Sequence, residues 1–150
     1  MKLSSQTQSV EVGATVTAEI KVESQDVEIK SYTIVITYNP SILEVTDSNL
    51  AKSGVQIDFT DTFSFEQTNT VDSNTGTIRL VGQIEGSAQS VNRVVGRISF
   101  KGKSAGASLV TVNKGISSII DDDNQNILTS TTTLNFTVTG QGQNGTITTT

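Results

Sequence analysis

The chain has 150 residues, enough for one domain with a substantial core and too few for two ordinary ones. It contains no Cys and no His, which excludes disulfides, thiolate or imidazole metal sites and every Ser-His-Asp or Cys-His catalytic arrangement. Ten Lys and Arg against fifteen Asp and Glu give a net charge of −5 with no basic run, so no nucleic acid and no anionic membrane is expected as a partner. The remainder is rich in Thr (23) and Ser (18), a neutral polar composition that suits β-sheet surface.

The opening, MKLSSQTQSV, lacks the apolar run of a signal peptide and reads as an artificial boundary or a cytosolic start. Residues 9–12 form a short strand that ends at Gly13, and residues 15–22 alternate, with Val16, Ala18, Ile20 and Val22 on one face. The clearest strand follows at 31–38, where Tyr32, Ile34, Ile36 and Tyr38 share a face opposite Ser31, Thr33, Val35 and Thr37. It ends at Asn39-Pro40, the only proline, and a short apolar run through Ile42, Leu43 and Val45 comes next. Residues 56–65 carry Ile57, Phe59, Phe63 and Phe65 at odd positions and predict one more strand. Residues 72–76, Asp-Ser-Asn-Thr-Gly, predict a hairpin turn into 77–83, where Ile78 and Leu80 oppose Arg79, Val81 and Gln83. Strands are expected at 94–101, 107–113, 116–120 and 131–139, with a polar loop at 121–126. No helical period is present beyond a turn or two near 41–43 or 88–92. Eight or nine short, regularly spaced strands predict a sandwich or barrel. Residues 1–139 are expected to be this domain, and residues 140–150 a Gly-, Gln- and Thr-rich linker stub leading to another module of a longer chain.

Several segments resemble cohesin modules. Val12-Gly13-Ala14-Thr15-Val16 resembles the family's G-x-T-V strand, and the segment from Ser31 to Val45 its aromatic-start strand ending Y-[DN]-P-x-x-L-E-V. Gly76-Thr77-Ile78-Arg79-Leu80 is similar to the central strand, Gly96-Arg97-Ile98-Ser99-Phe100-Lys101 to the I-x-F-K strand, and residues 121–138 to the family's last loop and strand. The resemblance implies an all-β fold, a nine-stranded jelly-roll sandwich of two largely antiparallel sheets. It implies a non-catalytic, monomeric recognition module that binds a dockerin, a small module folded around calcium, in an extracellular or cell-surface scaffoldin-type assembly. The recognition face it implies is the sheet of the third, fifth, sixth and eighth strands.

Strand parity then selects the residues. Tyr32, Ile34, Ile36 and Tyr38 must point inward, so the outward partner-binding set is Ser31, Thr33, Val35 and Thr37 on one strand and Arg79, Val81 and Gln83 on the other. Val35, Val81, Ser31 and Thr33 are expected at the centre of the contact, with Arg79 and Gln83 nearer its edge. Ser31 and Thr33 stand where many relatives carry Asn and Asp. Two other functions stay open on the residues alone: a structural adhesin, pilus or surface-layer domain, and a carbohydrate-binding module, although no Trp and only two Tyr are available to stack on a sugar. The same lack of aromatic platforms counts against a glycosidase built on Asp58 with Asp61, or Glu44 with Asp47. No cofactor is expected. The run Asp121-Asp122-Asp123-Asn124-Gln125-Asn126 is not an EF-hand, because Ile127 and Thr133 occupy the positions of its Gly and bidentate Glu. Asp121 and Asp123 are the calcium candidates, and a solvated turn is the expected reading.

Overall fold

The computed structural model describes residues 1–140, so the linker expected at 140–150 lies, beyond Gly140, outside the described residues. Alternating sequence becomes paired strand throughout: β1 (Lys2–Ser4), β2 (Ser9–Glu11), β3 (Thr15–Glu23), β4 (Ile29–Thr37), β5 (Leu43–Val45), β6 (Asp58–Phe59), β7 (Ser64–Asp72), β8 (Thr77–Ile84), β9 (Asn92–Gly102), β10 (Gly106–Val112), β11 (Ser118–Asp121) and β12 (Thr133–Thr139). One sheet runs β1-β3-β9-β5, with β6 also on β9. The other runs β2-β12-β10-β4-β8-β7, with β11 also on β4. The chain crosses repeatedly between the two sheets, β3 to β4, β5 and β6 to β7 and β8, and β9 to β10, as in a jelly roll. All pairings between strands are antiparallel except β2 with β12, which join the start and end of the domain in parallel.

The core is what the alternation requires. Tyr32, Ile34 and Ile36 from β4, Ile78 and Leu80 from β8, and Val110, Phe136 and Val138 from the neighbouring strands meet Ala18, Ile20, Val22, Ile98 and Phe100 of the opposite sheet. Tyr38, Phe100 and Phe136 meet in sequence, edge-on and then tilted, with ring centroids 5.5 and 5.8 Å apart. Gly82 lies on the inward side of β8 opposite Tyr32, and a Cβ there would clash with the tyrosine ring and hydroxyl. The absence of a side chain at 82 is therefore what makes room for the largest core residue of β4. Gly76, at φ 72°, closes the β7–β8 turn, where its carbonyl accepts from Tyr38 N–H at 2.9 Å.

Some expectations change. Among the described residues the sandwich has twelve strands, because five pieces of two to four residues that pair only part of a neighbour add to the longer ones. β1 was without a sequence signal; its Leu3 and the adjacent Met1 are buried. No helix forms among the described residues, and 40–42 is a hydrogen-bonded turn in which Asn39 C=O accepts from Leu43 N–H. The expected single strand at 56–65 is two elements separated by a loop at 60–63. Its four odd-numbered apolar residues divide: Ile57 is buried and Phe59 half-buried, while Phe63 and Phe65 face water. Period-two counting missed the break because Asp61, in the loop, turns the chain from one sheet into the other.

Candidate functional site

The outward side of the larger sheet is a grid set by register. Ser31 faces Gln83, which faces Phe65; Thr33 faces Val81, which faces Thr68; Val35 faces Arg79, which faces Thr70; Thr37 faces Thr77, which faces Asp72. On the other side of β4, Ser118 and Ile120 extend the Thr33 and Ser31 rows, and Thr111 extends that of Thr37. The seven residues selected by parity are thus brought together on adjoining strands. A bulge between Glu66 and Thr68 tilts the free end of β7 and restores its phase with β8.

One of the seven does not present a usable surface. Val35 has the outward parity but is only 2% exposed. β10 and β11 both pair with β4 and leave a gap between them, which residues 113–117 bridge: Val35 C=O accepts from Asn113 N–H at 2.7 Å, and Val35 N–H donates to Ser117 Oγ at 3.0 Å. The central apolar contact expected at Val35 is therefore replaced by the turn itself, whose Ile116 is 57% exposed. Val81 is half-buried, and Arg79 and Gln83 are exposed. The structure adds residues that sequence reasoning missed. Phe65, 59% exposed, stands beside Gln83, and Leu109, also 59% exposed, lies two residues from Thr111 on β10. β7 is mostly polar, so no alternation marks it, and the sequence groups Phe65 with Ile57, Phe59 and Phe63 in one strand without a place on the recognition face.

The outer side of the smaller sheet has a different chemistry. Glu19 pairs with Arg97 at 3.0 Å, Lys2 with Glu23 at 2.9 Å, and Lys101 stands between Thr15 and Glu44 across the strands. A groove lined by Ser4, Ser5, Thr7, Thr15, Thr17 and Glu19 opens between β1 and β3, without an aromatic ring.

Other candidate residues have structural work to do. Asp61 is buried and accepts from Tyr32 Oη at 2.7 Å, Ser64 Oγ at 2.6 Å, Phe63 N–H at 3.1 Å, and Arg93 Nε and Nη2 at 2.7 and 3.2 Å. Burial opposes its ionisation, but these donors outweigh burial and hold its carboxyl below the usual aspartate range. Burial, followed by the bond to Asp61, raises the Tyr32 phenol far above its ordinary value. Arg93 also covers the Phe63 ring at 4.8 Å from its centroid. Every lone pair that a glycosidase would need at Asp61 is engaged, and the group instead ties β4 and β7 of one sheet to β9 of the other. Asp47 Oδ1 likewise caps Asn49 and Gln56 N–H, at 3.0 and 3.1 Å. In the acidic loop, Asp121 Oδ1 accepts from Asp123 and Gln125 N–H at 2.9 and 2.8 Å, and Asn124 takes φ 64°. Asp121 serves as the internal brace of a tight turn. No group of three acidic residues placed to hold a metal ion occurs among the described residues.

A sandwich whose buried polar groups are structural and whose larger sheet presents a hydroxyl-rich outer face with Phe65, Leu109 and Ile116 exposed has the make-up of a surface-recognition module. The cohesin domain family model matches residues 1–140, and the chain belongs to the cohesin family. Solved structures show the same fold at low identity. The chain is similar to a cohesin module from a Clostridium perfringens ATCC13124 family 33 glycoside hydrolase (12% identity, TM-score 0.71, covering 93% of this chain and 96% of that one). It is similar to a type II cohesin domain from the cellulosome of Acetivibrio cellulolyticus (14%, TM-score 0.69, 90% and 92%) and to a chain of a type I cohesin–dockerin complex from Clostridium thermocellum ATTC 27405 (13%, TM-score 0.65, 91% and 97%). No curated protein sequence gives a significant match.

Proposed function

We propose that this cohesin domain is a non-catalytic module that binds a dockerin through the outer face of β4, β7, β8 and the β10–β11 segment. The observation that carries this reading is the contrast in chemistry between the two outer faces. One is laced with ion pairs that satisfy each other; the other offers Val81, Phe65, Ile116 and Leu109 among hydroxyls, a surface with an apolar part to bury and uncharged groups to pair. Relatives of the same fold have been solved as cohesin–dockerin complexes, which supports a dockerin as the partner. The chain has no His and no Cys, and Asp61 is sequestered, which supports a non-catalytic reading of the described residues. The cellulosomal setting of related modules supports an extracellular or cell-surface place in a modular assembly, and the Gly-, Gln- and Thr-rich composition of 140–150 supports a linker after a binding unit at 1–139.

Calorimetry of the domain against a panel of calcium-loaded dockerins, with a glycan array in parallel, tests the reading. Binding to at least one dockerin that is lost in Val81→Arg, with the melting temperature unchanged, is expected. Binding only to glycans, or dockerin binding abolished only by substitutions on the smaller sheet, would overturn it.

A further inference from the structure

The chain has three arginines, and two of them hold carboxylates: Arg93 bonds Asp61 at 2.7 Å and Arg97 bonds Glu19 at 3.0 Å. The Arg79 side chain has no hydrogen bond or ion pair with any described residue. Its neighbours across the strands are Val35 and Thr70, and along β8 its outward neighbours are Thr77 and Val81. The acids closest in the grid are occupied. Asp72 accepts backbone N–H groups of Asn74 and Thr75 at 3.0 and 3.3 Å, which holds its carboxyl below the ordinary range, and Glu66 accepts from Asn69 Nδ2 at 2.8 Å. Nor does Arg79 sit at the margin, since the row Thr37–Thr77–Asp72 lies beyond it.

That position sets a condition on whatever covers the face. A guanidinium keeps its charge at any accessible pH, and stripping it of water without supplying an acceptor is strongly unfavourable. A planar carboxylate matches its donor fork in a bidentate pair. We infer that the dockerin surface that docks here presents an Asp or Glu opposite Arg79, and that this pair selects among dockerins whose apolar contacts are otherwise alike. The inference rests on the dockerin-binding reading and names what the partner must bring. It moves Arg79 from the edge of the contact, where sequence parity had left it, to a specificity-determining position.

The test uses the whole domain, its Arg79→Gln, Arg79→Lys, Arg79→Glu and Val81→Arg variants, and the panel of calcium-loaded dockerins, by calorimetry at several sodium chloride concentrations. Arg79→Gln should weaken binding by about tenfold to a hundredfold and flatten the salt dependence, Arg79→Glu should weaken it more than a hundredfold, and Arg79→Lys should fall between the parent and Arg79→Gln. Melting temperatures should match the parent, because the side chain is outward and unpaired. Removing one acidic residue of the bound dockerin should reproduce the loss, and combining it with Arg79→Gln should add little further. If the parent binds and Val81→Arg abolishes binding, but Arg79→Gln and Arg79→Glu leave affinity unchanged, the Arg79 inference falls and the dockerin reading stands. If no dockerin binds, or if the free domain self-associates through this face, both fall.

Discussion

The two outer faces of the sandwich are made by the same alternation rule yet solve different problems. On the β1, β3 and β9 face outward charges meet opposite charges, Glu19 with Arg97 and Glu23 with Lys2, so that charge is neutralised within the molecule. On β4 and β8 the outward positions are Ser, Thr, Val and Gln, with Arg79 as the lone cation. A face that satisfies itself has little to gain from a partner, because an exposed ion pair must be desolvated before anything can cover it. A face of hydroxyls and half-buried aliphatic groups loses little on desolvation and gains contact area. The difference lies wholly in the outward residues, since both sheets present the same kind of apolar inner side.

The comparison assumes that parity is right, and the largest expected effect tests that. Ile34→Asp or Ile36→Asp places an unpaired charge in the core between the sheets and should unfold the domain, a loss of several kcal/mol read as the absence of a cooperative melt. Next is the link between the sheets. Asp61→Asn leaves Arg93 without its anion and Tyr32 and Ser64 with a poorer acceptor, and should cost about 3 to 5 kcal/mol in chemical denaturation. The same group sets an acid limit. Because its folded pKa is depressed, the unfolded chain takes up the proton first; the contribution is complete above the ordinary aspartate value of about 3.9 and disappears as pH falls through the lower native value. Parent stability should therefore drop below about pH 4, and the drop should be shallower in Asp61→Asn.

Smaller effects separate the two faces directly. Val81→Arg should weaken dockerin binding by about 2 kcal/mol or more in calorimetry, with the melting temperature unchanged. Glu19→Gln, on the other face, should change stability by less than about 1 kcal/mol, because both partners are well exposed, and should leave binding unaffected. If Glu19→Gln instead abolished binding, the assignment of the two faces would be reversed. The smallest effect is that of a calcium chelator on the free domain: no shift in melting temperature is expected, since Asp121 is engaged by the backbone of its own turn.

The parts of this organisation that could be read in the sequence are those that depend on period-two alternation about a buried face. β3, β4, β8, β9 and β12 follow from that pattern, and the resemblance to cohesin modules adds that Thr33 and Val81 share one surface; their direct pairing comes from the structure. What depends on contacts between distant segments was not readable. Val35 has an outward neighbour on each side in sequence, but its exposure is decided by residues 113–117, which reach it only after the chain has crossed both sheets. Phe65 looked like the end of a single strand from 56 because nothing local signals that Asp61, two strands away from Arg93 and Tyr32 in the chain, will capture both and turn the backbone. β7 has no apolar face of its own and is a strand because β8 supplies a partner.

At the open border of the larger sheet, Asn69 of β7 grips the backbone of Ile57 twice: its Oδ1 accepts from Ile57 N–H at 2.9 Å and its Nδ2 donates to Ile57 C=O at 2.7 Å, while Val55 and Val71 form a single bridge beside it. A side chain here occupies donors and acceptors that a neighbouring strand would otherwise seek, and the bulge at Glu66 and Thr68 spoils the straight template that remains. The consequence concerns crowding. Copies of such a domain held close together have no long flat border along which to zip, so they can be concentrated without merging into a continuous ribbon, and replacing Asn69 by Val would expose them to amyloid-like addition of strands.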